Sequence, residues 1–245
     1  MSLKFDSSKK LRKEKGKHKV ESWEDFEQRE QIFLKERFLS KEPTISALVR
    51  ITGGKAKNFN IEIPRNTRPL TDRMKVRIFD VLGKDISNKT VLDLYAGAGS
   101  FGLEALSRGA KEATLVDASK QADLVIRKNI AHTGFLPQVE VIKSKVEDFL
   151  EKNKDTDRSW DIIFMDPPYK LYNTKRVNKM EEVINKVSKY LPGVNNSNSK
   201  RFKGALIIKH PKRYPIDKLE LEHIKKVDTY EFGLNSISLY IVKSE

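Results

Sequence analysis

Short unbroken apolar runs recur through the second half of the chain, at residues 90–95, 113–116, 139–142, 162–165 and 206–208. Runs of that length, rich in Val, Ile and Leu, are the pattern of strands buried on both faces. Between most of them lie stretches with helical spacing of apolar positions, at 100–108, 120–132, 146–152 and 175–191. Strands alternating with helices predict an α/β domain with a mainly parallel sheet, and residues 225–232 and 236–242 predict an antiparallel pair that closes it. Upstream the pattern differs. Residues 48–52 and 59–63 alternate around Gly53-Gly54 as a hairpin would, with Pro64 ending it, and Thr71 stands as the N-cap of a helix that runs to Gly83. Residues 22–39 carry Trp23, Phe26, Phe33 and Phe38 at spacings that share one helical face, which predicts an amphipathic helix docked on the main body. The polar stretch 193–204 reads as a loop.

These boundaries divide the chain into a basic tail at 1–20, an N-terminal helix, hairpin and helix at 21–83, and an α/β domain at 84–245. Charge sharpens the division. The 245 residues carry a formal net charge of +14, from 48 Lys and Arg against 34 Asp and Glu. Residues 1–20 hold eight basic and two acidic side chains with little to bury, a composition expected of a disordered segment, whether an RNA-binding arm or a solvated tail. Residues 45–80 hold eight basic and three acidic side chains, among them Arg50, Lys55, Lys57, Arg65 and Arg68, a candidate grip on a nucleic-acid backbone. The alternative is a solvated basic face. No apolar run reaches a membrane span and no secretory h-region opens the chain, so a soluble cytoplasmic protein is expected. Cysteine is absent, which excludes disulfides, cysteine zinc sites and thiol nucleophiles. The four histidines show no metal-ligand spacing, so no metal is expected.

Two loops carry candidate chemistry. Strand 90–95 runs into Gly97, Gly99 and Gly102, the G-x-G-x-x-G arrangement, and Asp117 follows the next strand 20 residues beyond Gly97. Glycines let a backbone approach a ligand at a strand-to-helix turn, and a carboxylate after the next strand can take two ribose hydroxyls. A nicotinamide dinucleotide satisfies that pattern, but Asp93 at the end of the first strand would repel a pyrophosphate. It suits a ligand with an ammonium group, such as S-adenosylmethionine. The second loop is Asp166-Pro167-Pro168-Tyr169, at the end of strand 162–165. Two prolines fix φ and remove two N–H donors, holding the preceding carboxylate and carbonyl outward. The Asp166 carboxylate and the Pro167 carbonyl are a pair of acceptors for the two N–H bonds of an amino group, and Tyr169 offers a face on which a planar base stacks.

The two loops together resemble class I S-adenosylmethionine-dependent methyltransferases that act on amino groups. A closer resemblance rests on Arg50 to Gly54, on Arg68-Pro69-Leu70-Thr71-Asp72-Arg73, and on the run from Asp93 to Ala110 that includes Glu104-Ala105-Leu106-Ser107-Arg108-Gly109. Across residues 48–245 the chain is similar to the bacterial 16S ribosomal RNA guanine-N2-methyltransferase family, the RsmD type. That resemblance implies a Rossmann-like sheet of seven mostly parallel strands, with helices on both faces and an antiparallel last strand. It implies S-adenosylmethionine as cofactor. Asp93, Ala96, Gly97 and Gly99 would line its methionine end, with Thr71 and Arg73 near its carboxylate. Asp117 would take the ribose, and Lys145 and Val146 would lie near the adenine. Asp166, Pro167 and Tyr169 would hold the guanine amine. The implied partner is ribosomal RNA or an assembling small subunit, met by a monomer.

The chain departs from the family pattern at Lys57-Asn58, where an Arg-Gly pair is common, at Met74-Lys75-Val76, and at Lys209, where an acidic residue is more usual. Other readings of the same residues are a DNA adenine-N6 methylase and an RNA-binding assembly factor without catalysis. Pyrimidine C5 methylation is disfavoured, since it needs a covalent thiol.

Overall fold

The computed structural model describes residues 45–65, 67, 69–172, 177–192 and 204–243. The expected helix at 22–39, the basic tail at 1–20, Arg68 and most of the 193–204 loop lie outside them. Nine strands and five α-helices are described. The hairpin is β1 (Ile45–Arg50) and β2 (Asn60–Pro64), antiparallel, a few residues offset from the expected strands. Helix α1 (Asp72–Leu82) starts at Thr71, whose hydroxyl accepts the Met74 N–H, and stops at Gly83.

The sheet proper comprises β3 (Thr90–Leu94), β4 (Glu112–Asp117), β5 (Val139–Lys143), β6 (Ile162–Met165), β7 (Ala205–Pro211), β8 (Ile224–Phe232) and β9 (Asn235–Val242). Its order is β5-β4-β3-β6-β7-β9-β8, parallel through β7 and antiparallel at β9 and β8. Helices α2 (Ser100–Ser107), α3 (Lys120–Thr133), α4 (Val146–Asn153) and α5 (Val177–Ser188) complete the alternation. The chain builds from β3 outward to β5, then returns to place β6 on the other side of β3. That reversal opens a crevice at the carboxyl ends of β3 and β6, where α/β sheets take their ligands.

Period-two alternation divides the core between the two faces. Val91, Leu115, Phe164 and Ile207 pack with α1, α2 and α3 on one side. Leu92, Leu94, Val116, Met165 and Ile208 pack with α4 and α5 on the other. The first core also holds Ile51, Ile61, Met74 and Ile78, so the hairpin and α1 share the hydrophobic core of the sheet's helical layer. Phe101 stacks on Phe164 at 4.3 Å between ring centres and on Phe79 at 5.2 Å, linking α1, α2 and β6. No helix among the described residues is long and apolar enough to cross a membrane.

Polar contacts fasten the hairpin turn to α2. The carboxylate of Glu104, fully buried, accepts the N–H of Thr52 at 2.8 Å, its hydroxyl at 2.7 Å and Nε of Arg108 at 2.9 Å. Ser107 donates its hydroxyl to the Gly53 carbonyl at 2.5 Å and accepts the Ala56 N–H at 2.9 Å. A Cβ on Gly54 would stand 1.8 Å from the Ser107 carbonyl oxygen, at a φ of +78°, so only glycine fits that turn. The run from Glu104 to Arg108 is thus the socket of the Gly53-Gly54 turn.

Candidate active site

Each glycine of the loop after β3 is required for a different reason. Gly97 has a φ of +58°, and a Cβ there would meet the Thr67 methyl at 2.7 Å, so the loop passes directly under the segment that leaves the hairpin. Gly99 takes φ +75° as the residue before α2. At Gly102 a Cβ would lie 2.3 Å from a Leu115 methyl, so this glycine lets α2 press onto β4. Tyr95, between strand and loop, also holds a positive φ of 62°, an uncommon conformation for an aromatic residue, and packs against the core on the α4 and α5 side.

Those turns open a cavity of about 810 Å³. Asp93, Tyr95, Ala96 and Gly97 contribute from the β3 end, Asp117 from the β4 end, and Lys145, Val146 and Glu147 from the start of α4. Asp166, Pro167 and Tyr169 contribute from the β6 end, and Lys209 from β7. The two loops singled out in the sequence, 70 residues apart, therefore form one chamber. Arg50, Lys55, Lys57 and Arg65 are exposed around the hairpin and do not line it. Arg50 is engaged with Asp72 at 2.7 Å. Lys75, counted above among the basic residues of 45–80, is buried and pairs with Asp72 at 3.3 Å and Glu104 at 3.8 Å, so it offers no charge to a phosphate. Thr71 and Arg73 are also not in the lining. Thr71 is occupied as a cap, and the Arg73 guanidinium lies 6.0 Å from the Phe232 ring centre, because the first turn of α1 points them outward while Pro69 and Leu70 face the chamber.

Electrostatics differ among the three carboxylates. Asp117 is pinned by two backbone donors, Gly97 N–H at 2.8 Å and Ser119 N–H at 2.8 Å, each to a different oxygen, leaving one lone pair on each oxygen for a diol. Asp93 is buried and, among the described residues, accepts only the Gly102 N–H, at 3.0 Å; burial pushes its carboxyl up to about 8, against that hydrogen bond, and the charges of Asp166 and Asp117 add to the rise. Burial also raises Asp166, and here the Lys209 ammonium opposes it, at 2.9 and 2.7 Å from the two oxygens. Tyr169 stands at the mouth, 39% exposed, with its hydroxyl against the Asn235 side chain. Tyr172 donates its hydroxyl to the Lys209 carbonyl at 2.6 Å, bracing β7 against the turn after β6.

Among the lining residues not foreseen in the sequence as site residues, three are polar side chains near the carboxylates. Tyr95 and Ser100 bury hydroxyl oxygens that have no hydrogen-bond partner, and both line the cavity. Tyr214 and Tyr240 bury unpartnered hydroxyls too, outside the chamber lining, so an orphaned hydroxyl does not by itself mark a ligand contact. The third is Lys209. No group of three metal-ligating side chains occurs among the described residues.

The site can be compared with known proteins. Residues 49–241 match a family model described as conserved hypothetical protein 95. The Escherichia coli (strain K12) protein named ribosomal RNA small subunit methyltransferase D is 35% identical over 142 residues, covering 57% of this chain and 67% of that protein. The protein of the same name from Buchnera aphidicola (subsp. Acyrthosiphon pisum) is 38% identical over 104 residues, 42% of this chain, and the match spans only 53% of its length. Among solved structures, a hypothetical protein of Thermus thermophilus superposes with a TM-score of 0.61 at 27% identity, over 78% of this chain and 98% of that one. A structure described as a methyltransferase complexed with SAH aligns with a TM-score of 0.59 over 89% of this chain and 65% of that one; at 16% identity it shows likeness of fold alone.

Proposed function

The chain belongs to the family described as conserved hypothetical protein 95, of RsmD type, and from that premise we propose that it transfers a methyl group from S-adenosylmethionine to the exocyclic N2 amine of a guanine in small-subunit ribosomal RNA. Its sheet is that of a class I methyltransferase. The relatives named ribosomal RNA small subunit methyltransferase D support RNA as substrate. The observation that carries the chemistry is the convergence, in one chamber, of the Asp166-Pro167 corner with the Asp93 and Asp117 carboxylates.

The residues fit the cofactor. Two carboxylates of unlike character offer acceptors suited to an ammonium and to a ribose diol, and the glycine loop leaves the backbone bare. When bound, S-adenosylmethionine supplies an electrophilic methyl. Asp93, ionised by the approach of an ammonium, balances that charge where water is excluded. Asp117 orients the ribose through its two remaining lone pairs.

At the other wall, the Asp166 carboxylate and the Pro167 carbonyl each accept one N–H of the target amine. Such acceptors aim the nitrogen lone pair at the incoming methyl and stabilise the positive charge that grows on the amine during transfer. The Asp166 carboxylate is held by Lys209 before the base arrives, so little reorganisation of that acceptor is needed. The Tyr169 ring gives the base a stacking surface at the chamber mouth, and a base reaches this depth only when unpaired or turned out of its helix.

Asp166→Ala tests the assignment. Transfer of tritiated methyl from the cofactor to small-subunit RNA should fall about a hundred- to a thousandfold, the scale of losing one transition-state hydrogen-bonding group, with cofactor affinity by calorimetry within about twofold. Retained activity overturns the role of Asp166. Offering duplex DNA, naked ribosomal RNA and ribosomal subunits side by side, with mass spectrometry for N2-methylguanosine, tests the substrate. Methylated adenine in DNA, or no transfer despite cofactor binding, overturns it.

A further inference from the structure

We infer that Lys209 is a positioning residue for Asp166: its ammonium occupies the fork between the two carboxylate oxygens and leaves one lone pair on each for the substrate amine. This rests on the role proposed above for Asp166. The register of the sheet creates the contact. Met165 on β6 pairs with Ile208 on β7, so the next residue of each strand, Asp166 and Lys209, stands beside the other at the crevice. Alternation turns both toward the face that also carries Asp93, whose partner across the β3–β6 ladder is Phe164.

Lys209 is 4% exposed, and its Nζ lies 2.7 and 2.9 Å from the two Asp166 oxygens. Holding both oxygens at once fixes the rotation of the carboxylate, which a single donor would not. A carboxylate has about four lone-pair sites, and the ammonium takes two of them. The fork of Asp166 is therefore closed to a substrate that would bind it through two parallel N–H bonds. One N–H must go to Asp166 and the other must find the Pro167 carbonyl, which is the geometry that presents a primary amine.

The pair also governs ionisation. The titratable groups that face Asp166 are Lys209 from β7, Asp93 from β3 and Tyr172 from the turn after β6. Burial favours a proton on Asp166, and the Lys209 ammonium opposes it. Without it, burial acts unopposed in favour of the carboxylic acid, which turns one of the two acceptor oxygens into a donor. A buried ion pair adds little net stability over an apolar pair of the same shape, so its placement in a chamber wall points to a role in binding.

The test follows Asp166 itself. With aspartate labelled by 13C at the side-chain carboxyl, the Asp166 resonance is identified by its loss in Asp166→Asn and titrated in full-length wild type, Lys209→Met and Lys209→Arg. Lys209→Met should raise the titration midpoint by one pH unit or more, a tenfold change in proton affinity, while Lys209→Arg, which keeps the charge, should leave it within about half a unit. The acid limb of methyl transfer should move upward with the midpoint in Lys209→Met, with KM for S-adenosylmethionine within about twofold. Should Lys209→Met fail to fold, Lys209→Gln, which keeps a donor and loses the charge, gives the same reading. An unmoved midpoint beside an active wild type overturns the inference alone. A wild type that transfers no methyl to small-subunit RNA overturns the proposed function whatever the midpoint does.

Discussion

Two regions of this molecule bury carboxylates on neighbouring elements, and they treat them in opposite ways. Under the hairpin turn, Glu104 is saturated: Thr52 supplies an N–H and a hydroxyl, Arg108 an Nε–H, and Lys75 a second cation. In the chamber, Asp93 receives one N–H from the described residues and carries a raised proton affinity. Glu104 lies eleven residues after Asp93, close enough that sequence distance cannot separate the roles. What separates them is the count of donors. A carboxylate whose lone pairs are all taken by the protein holds the fold together, and one left short of donors beside a cavity is waiting for a ligand.

The comparison is most severely tested at Glu104. Glu104→Ala leaves Arg108 without its carboxylate, takes one of two from Lys75 and frees the hairpin turn; the expected loss is about 3–5 kcal/mol of unfolding free energy, read from denaturant titration. A loss under about 1 kcal/mol would mean that the anchor is not structural. Asp93→Asn should do the reverse. Affinity for S-adenosylmethionine should fall about ten- to a hundredfold, as expected for removing one charge-assisted contact, while the fold is retained.

The pH dependence of Asp93 has a definite sign. Its folded-state value of about 8 lies above the ordinary 3.8, so between those limits the folded protein holds a proton that the unfolded chain has released. Its contribution to stability is therefore present at low pH and lost as pH rises through about 8. The thermal midpoint should decline across that range more steeply in wild type than in Asp93→Asn. Cofactor affinity should climb over the same interval, because the ammonium meets the carboxylate form. Equal slopes in both proteins would remove Asp93 from the account.

The smallest expected effects are on the exposed face of the hairpin. Lys55→Ala and Lys57→Ala should each lower the slope of log affinity for RNA against log salt by about 1, with no change in which base is modified. An unchanged slope would mean that these lysines are only solvated.

Much of this architecture could be read along the chain. The alternation of buried strands with helices announced the α/β sheet, and β6 falls at the expected residues, 162–165. Both chemical loops were visible, since glycines and prolines act on the backbone locally and their consequence does not wait for the rest of the fold. Even the Glu104 to Arg108 run could be recognised as distinctive, although its purpose could not be read, because the turn it holds lies some fifty residues away.

Lys75 and Lys209 show where local reading ends. Each is a lysine in a chain with 48 basic residues, and although both stand where the chain departs from the family pattern, neither departure says what the side chain meets. Lys75 is buried because α1 packs it against Glu104, and Lys209 because strand register sets it beside Asp166. Sequence by itself determined which segments are strands and helices, and where the backbone must bend or stay rigid, since those follow from propensity and sterics over a few residues. The tertiary structure alone decided which charges meet, because ion pairing depends on distance in space, and a sheet brings together residues that the chain holds 43 positions apart.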